Sequence, residues 1–193
     1  CGEGGALVIN NQNLVDRAEI IREKGTNRSR FLRKETNLYT WIDIGSSYLP
    51  SDLNAAFLYA QLEESRIITG KRLKLWTTYK ERFSDIEKEG LIKVQTIGSN
   101  QDYNAHLFYI LLKDEILRNK FIKDMYKKNI ICTSHYIPLH NSPFGKKVGK
   151  TQDDLKVTDS ISKRIVRFPM WVGLDEFQNK IIDSSIEIIQ KLV

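Results

Sequence analysis

Gly45-Ser46-Ser47-Tyr48-Leu49-Pro50-Ser51-Asp52-Leu53-Asn54-Ala55-Ala56 runs from a hydroxyl-rich irregular stretch straight into an apolar segment. Ser51 is a good N-cap, because its side-chain oxygen can accept from a backbone N–H left unpaired at a helix start. Asp52 suits the positive end of the helix dipole. Leu53, Ala55, Ala56, Phe57, Ala60 and Leu62 then predict an apolar helix. Hydroxyls and backbone N–H groups gathered at such a start also suit a phosphate. Plain capping accounts for the same residues, so both readings stand.

Upstream, Gly2-Glu3-Gly4-Gly5 is a glycine-rich turn, and Gly4 to Asn10 reads as a short buried strand. Asn13 is expected to cap a helix running to Lys24, with Leu14, Val15, Ala18, Ile21 and Arg22 giving an amphipathic face and Gly25 ending it. Thr26 to Pro50 shows no sustained period. Long irregular stretches in compact chains are usually functional or disordered, and Phe31, Tyr39, Trp41 and Tyr48 argue against disorder. Downstream, Arg66 to Glu89 predicts a long connecting helix with a kink at Gly70 and a stop at Gly90. Strands are expected at 92–96, 106–113, 130–136 and 165–168, and helices at 114–128, 155–163 and 175–192, with a polar loop over 141–151. Such mixing implies a small α+β domain. The boundaries expected are 1–65, a connector over 66–90, and 91–193.

The 193 residues are 41% hydrophobic and 28% charged, with a net charge of +6. That is enough for a sizeable core. No apolar run approaches the roughly 20 residues of a membrane span, and no signal peptide is visible. Cys1 and Cys132 are read as free thiols of a reducing cytoplasm. Cys1 in place of Met suggests a fragment or a processed product.

The positive charge is mostly spread over solvated faces, but Lys24, Arg28, Arg30, Arg33 and Lys34 concentrate in one stretch. Guanidinium groups pair with phosphates in bidentate fashion, although a solvated loop is the plainer reading. No nucleic-acid-binding motif accompanies the stretch. His135-Tyr136-Ile137-Pro138-Leu139-His140 holds two of the three histidines. Imidazole and phenol groups hydrogen-bond sugar hydroxyls well. A metal there would need a third ligand, and a strand places Cys132 and His135 on opposite faces. His106 is read as a satisfied core residue.

These segments also resemble, in order, the DegT-type sugar aminotransferases. The resemblance is carried by Gly2-Glu3-Gly4-Gly5-Ala6, by Arg17 to Arg28, by Gly45 to Ala56, by Ala60-Gln61-Leu62 and by His135 to His140. It implies the C-terminal part of the type I, aspartate-aminotransferase-like fold of pyridoxal-phosphate (PLP) enzymes. It further implies a homodimer that moves an amine from glutamate to a dTDP-linked 4-keto-6-deoxy sugar, in surface polysaccharide synthesis of the enterobacterial common antigen kind. The lysine that bonds the cofactor is implied to precede the Gly-Glu-Gly-Gly turn, so the chain alone is expected to be inactive. Ser46, Ser47 and Tyr48 are implied as contacts to the cofactor phosphate, although many relatives have Asn where this chain has Leu49. Arg28, Arg30 and Arg33 are expected to hold the nucleotide diphosphate, and His135, Tyr136 and His140 to line the sugar pocket. A sugar dehydratase of the same fold and a non-catalytic binding domain stay open as alternatives. Left alone, the chain is expected to expose apolar surface, and so to self-associate or to have a disordered N-terminal portion.

Overall fold

The computed structural model describes residues 2–192, so Cys1 lies outside the described residues. The chain forms two compact units, Cys1–Ser65 and Arg66–Val193.

In the first unit, a 3₁₀ turn at Gln12–Leu14 leads into α1 (Val15–Arg22). Asn11 caps this turn, its side chain accepting from the Asn13 amide. The expected cap Asn13 lies inside the turn, and α1 starts with no side-chain cap. The irregular stretch contains one short helix, α2 (Arg28–Leu32). Ser51 caps α3 (Asp52–Glu63), accepting from the Asn54 amide at 3.3 Å. The strand expected at Gly4 to Asn10 is absent, and those residues form no ladder. A strand needs hydrogen-bonded neighbours to persist, and among the described residues nothing in the unit pairs with this one.

The second unit carries the hydrophobic core. α4 (Ser65–Lys88) runs as one helix through Gly70, where a kink was expected. Leu75, Trp76, Tyr79, Phe83 and Ile86 recur at helical spacing and are buried. Gly90, at φ +76°, ends the helix. Its amide donates to the Glu87 carbonyl and that of Leu91 to the Ile86 carbonyl, the Schellman pattern.

β1 (Lys93–Val94), β2 (Tyr109–Leu111) and β3 (Ile165–Arg167) form one antiparallel sheet in that order. Ile110 faces Val94 on one side and Val166 on the other. α5 (Glu115–Lys127) is capped by Asp114, which accepts from the Leu117 amide at 2.9 Å. A 3₁₀ turn at Leu139–Asn141 leads into the expected polar loop, which holds α6 (Pro143–Val148). α7 (Lys156–Arg164) and α8 (Asp175–Leu192) complete the unit.

The strand expected at 130–136 is reduced to a single bridge between Thr133 and Arg167. Asn129 at φ +60° and Tyr136 at φ +43° turn the backbone out of the pleat at both ends. At the centre, Tyr79 stacks on Phe108 at 4.8 Å between ring centroids, with Phe83 and Phe168 against them. The Tyr79 hydroxyl is satisfied by the Pro169 carbonyl. Such aromatic pairs contribute beyond their buried area.

Candidate functional site

Two groups of candidate residues arise, one in each unit. In the first unit the Gly45–Tyr48 stretch is pinned to the end of α1. Ser46 donates its amide to the Ile21 carbonyl and Tyr48 to that of Arg22, while Lys24 donates to the Ser46 carbonyl. The close approach depends on Gly25 and Gly45. A Cβ on Gly45 would lie 2.1 Å from the Gly25 nitrogen, and one on Gly25 only 1.7 Å from the Asp43 carbonyl oxygen. Asn27 ties the far side. Its side chain donates to the Leu38 carbonyl and accepts from the Thr40 amide.

The pinning consumes backbone donors and leaves side chains. The Ser46 and Ser47 hydroxyls make no hydrogen bond among the described residues, and Ser46, Ser47 and Tyr48 are all exposed. A phosphate here would be met by hydroxyls rather than by the amides of Ser46 and Tyr48.

The three arginines are already paired with carboxylates. Arg30 bonds Asp16. Arg33 forks onto both Glu19 oxygens at 3.0 and 2.9 Å and also holds Glu35. That contact holds the Glu35 carboxyl below its ordinary range. Arg28 has the loosest pair, 3.5 Å from Glu23. Glu23 is buried, and its Oε2 has no partner among the described residues.

In the second unit the structure separates the two histidines of His135 to His140. His140 bonds Asp159 at 2.8 Å, and Asn141 donates to the same carboxylate. The His140 contact first, then Asn141, holds the Asp159 carboxyl below its ordinary value. His140 borders a concavity of about 400 Å³ with Lys146, Lys150 and Thr151. His135 and Tyr136 instead stand beside Arg167, whose guanidinium lies 5.3 Å from the Tyr136 ring centre. Burial, then the positive Arg167 and His106, push the His135 pKa down. His106 is exposed rather than a core residue, with its Nδ1 3.0 Å from the Asn104 side-chain oxygen. Burial raises the Cys132 thiol to about 12, which makes it inert. Among the described residues no group of His, Cys, Asp or Glu is arranged to hold a metal, and no helix is long and apolar enough to cross a membrane.

The model of the DegT/DnrJ/EryC1/StrS aminotransferase family matches residues 1–186. The chain belongs to that family. An uncharacterised protein of Methanocaldococcus jannaschii is 28% identical over all of the chain and 50% of its own length. The spore coat polysaccharide biosynthesis protein SpsC of Bacillus subtilis is 26% identical over all of the chain and 50% of its own length. A UDP-4-amino-4,6-dideoxy-N-acetyl-beta-L-altrosamine transaminase of Campylobacter jejuni is 26% identical over 98% of the chain and 49% of its own length. The chain thus spans about half the length of the curated relatives it matches.

Among solved structures, the aminotransferase PseC of Helicobacter pylori superposes with a TM-score of 0.80 at 19% identity, over 95% of this chain and 48% of that one. DesV of S. venezuelae gives 0.78 at 20% identity, over 94% and 46%. The fold is therefore that of the type I PLP-dependent aminotransferases, as the sequence reading expected. Within this family member, sequence reading missed Glu23, Asn27 and Arg167. Gly25-Thr26-Asn27 after a helix was a usable signal for Asn27, since a C-terminal glycine followed by Asn marks a side-chain-organised turn. Arg167 carried no local signal, because its neighbours come from distant segments.

Proposed function

We propose that this chain is part of a PLP-dependent aminotransferase that moves an amino group from glutamate to a nucleotide-linked keto sugar, with a dTDP-linked 4-keto-6-deoxy sugar as the substrate. The observation that carries the reading is the family match across residues 1–186. Relatives named as a UDP-sugar transaminase and as a dTDP-4-dehydro-2,3,6-trideoxy-D-glucose 4-aminotransferase support the substrate class. Surface polysaccharide synthesis is supported by the name of the Bacillus relative.

The residues present suit the phosphate end of the cofactor. Ser46 and Ser47 offer uncommitted hydroxyls on a stretch fixed by three backbone hydrogen bonds, and Tyr48 adds a phenol. When bound, PLP supplies the carbonyl carbon that accepts an amine and a ring that withdraws electrons. Arg28, the loosest of the three paired arginines, is the best candidate for the nucleotide diphosphate. His135 and Tyr136 supply hydrogen-bonding groups for the sugar, and His140, fixed by Asp159, is a further wall. We read the active assembly as a homodimer in the cytoplasm.

The test is amino transfer by the complete protein, given PLP, glutamate and either a dTDP- or a UDP-linked 4-keto-6-deoxy sugar. Formation of 2-oxoglutarate only with the dTDP sugar is expected. Turnover with the UDP sugar alone would reassign the nucleotide, and none with either would sink the reading. The same assay on Arg28→Ala is expected to raise KM for the sugar nucleotide, and an unchanged KM would remove Arg28 from the site.

A further inference from the structure

Arg167, the last residue of β3, differs from the paired arginines of the first unit. No carboxylate lies within ion-pair distance of it among the described residues. Its Nη2 reaches only the Thr133 hydroxyl, at 3.3 Å, and its Nε is buried without an acceptor. A guanidinium carries five donors in a fixed fork, so most of this fork is unanswered.

Its surroundings are held with some strain. Tyr136 sits under the guanidinium at φ +43°, and Ala105, the neighbour of His106, is at φ +50°. Residues with a side chain seldom occupy this region, and such strain collects at ligand clamps. Arg72 of α4 fixes the second turn, donating Nε to the Ala105 carbonyl at 3.0 Å and Nη2 to that of His106 at 2.6 Å. The turns bring His135 within the fields of Arg167 and His106. The groups facing His135 are thus Arg167 from β3, His106 from the turn before β2, and the adjacent Tyr136 ring at 5.4 Å. No carboxylate contributes to its titration.

We propose that Arg167, with His135 and Tyr136, forms a binding site for an oxyanionic group, carboxylate or phosphate, of a small-molecule ligand. The guanidinium supplies charge-assisted hydrogen bonds and the Tyr136 ring fixes its plane. His135 adds a neutral imidazole donor at physiological pH. The proposal rests on the aminotransferase reading only for its two named sources, the dicarboxylate amino donor and the diphosphate of a sugar nucleotide.

The experiment is an NMR titration of the His135 ring in the 193-residue chain, assigned with His135→Gln. Glutarate and inorganic pyrophosphate are each added alone, without cofactor or turnover. Burial holds His135 down first and Arg167 adds to it, so an anion on Arg167 offsets the Arg167 part, and the His135 midpoint is expected to rise and to saturate with one probe. Saturation by glutarate names the amino donor, and saturation by pyrophosphate names the nucleotide. Arg167→Gln is expected to weaken the probe about tenfold, in line with the loss of a charged hydrogen bond, while Arg167→Lys recovers part of it. A His135 midpoint unmoved by both probes, or equal binding to folded Arg167→Gln, overturns the site. If Arg167→Gln does not fold, the wild-type titration and Arg167→Lys decide. Absence of amino transfer in the complete protein would sink the function but leave this result standing.

Discussion

Gly25 and Gly45 show how single residues set the candidate cofactor stretch. Each approaches backbone so closely that a methyl group has nowhere to go, and Gly25 also sits at φ +76°. Gly45→Ala is expected to break the Ser46 and Tyr48 amide bonds to α1, at a local cost of at least about 2 kcal/mol. Hydrogen exchange at the Ser46 and Tyr48 amides reads this directly, and unchanged protection would refute it. At this scale the sequence was informative where the chemistry is local. Ser51 as a cap followed from its place before an apolar run. It was silent where a role depends on distant partners: Glu23 beneath Arg28, Asn27 clamping Leu38 and Thr40, and Arg167 against Tyr136. It also misplaced His106, because an apolar strand following a histidine says nothing of which side of the turn the ring takes.

Helices were legible to the extent that their ends carry their own signals. α8 begins at Asp175 with an acidic first turn and keeps a helical apolar stripe through Ile181, Ile182, Ser185, Ile188 and Ile189. Gly90 stops α4 as expected, and a Cβ there would meet open space. Gly90→Ala is therefore a test of backbone conformation alone. It is expected to cost about 1 kcal/mol, read as a lower urea midpoint with an unchanged slope. Strands were less legible, since a strand exists only with its neighbour. Gly4 to Asn10 has the composition and no partner, while 130–136 has a partner at one residue only. Between elements, Glu187 of α8 links Lys128, just past α5, at 2.6 Å and Lys191 at 2.5 Å. These contacts hold its carboxyl down at about 2, from 4.5. A depressed acid contributes stability above its unfolded value and loses it as pH falls through the folded one. Glu187→Gln is thus expected to destabilise the chain above about pH 4.5, with the difference closing as pH approaches about 2. A difference independent of pH, or unaffected by 1 M salt, would rule out the ion pairs as its cause.

The two units contrast as whole bodies. The second has a continuous aromatic and aliphatic core from Leu75 to Ile189. In the first, Glu23 and Asn27 are buried, but among the described residues no hydrophobic side chain is. α3 is apolar on every side and exposed throughout, with Leu53 at 84% and Phe57 at 60%. A helix of that kind is ordinarily enclosed, and exposed apolar patches of this extent mark interaction surfaces. The hydrogen bonds of Asn27, Gly25 and Ser46 shape the first unit, but without buried apolar area they supply little net stability. Local opening should therefore be easy there and rare in the second unit. Limited proteolysis of the chain is expected to cut within 1–65 first and leave a protected fragment beginning near Arg66. Sedimentation of the uncut chain should show association that rises with concentration, and Leu53→Glu with Phe57→Glu should reduce it. Equal cleavage of both units would mean that the first is stabilised by something other than apolar burial. A monomer at all concentrations would refute α3 as an association surface.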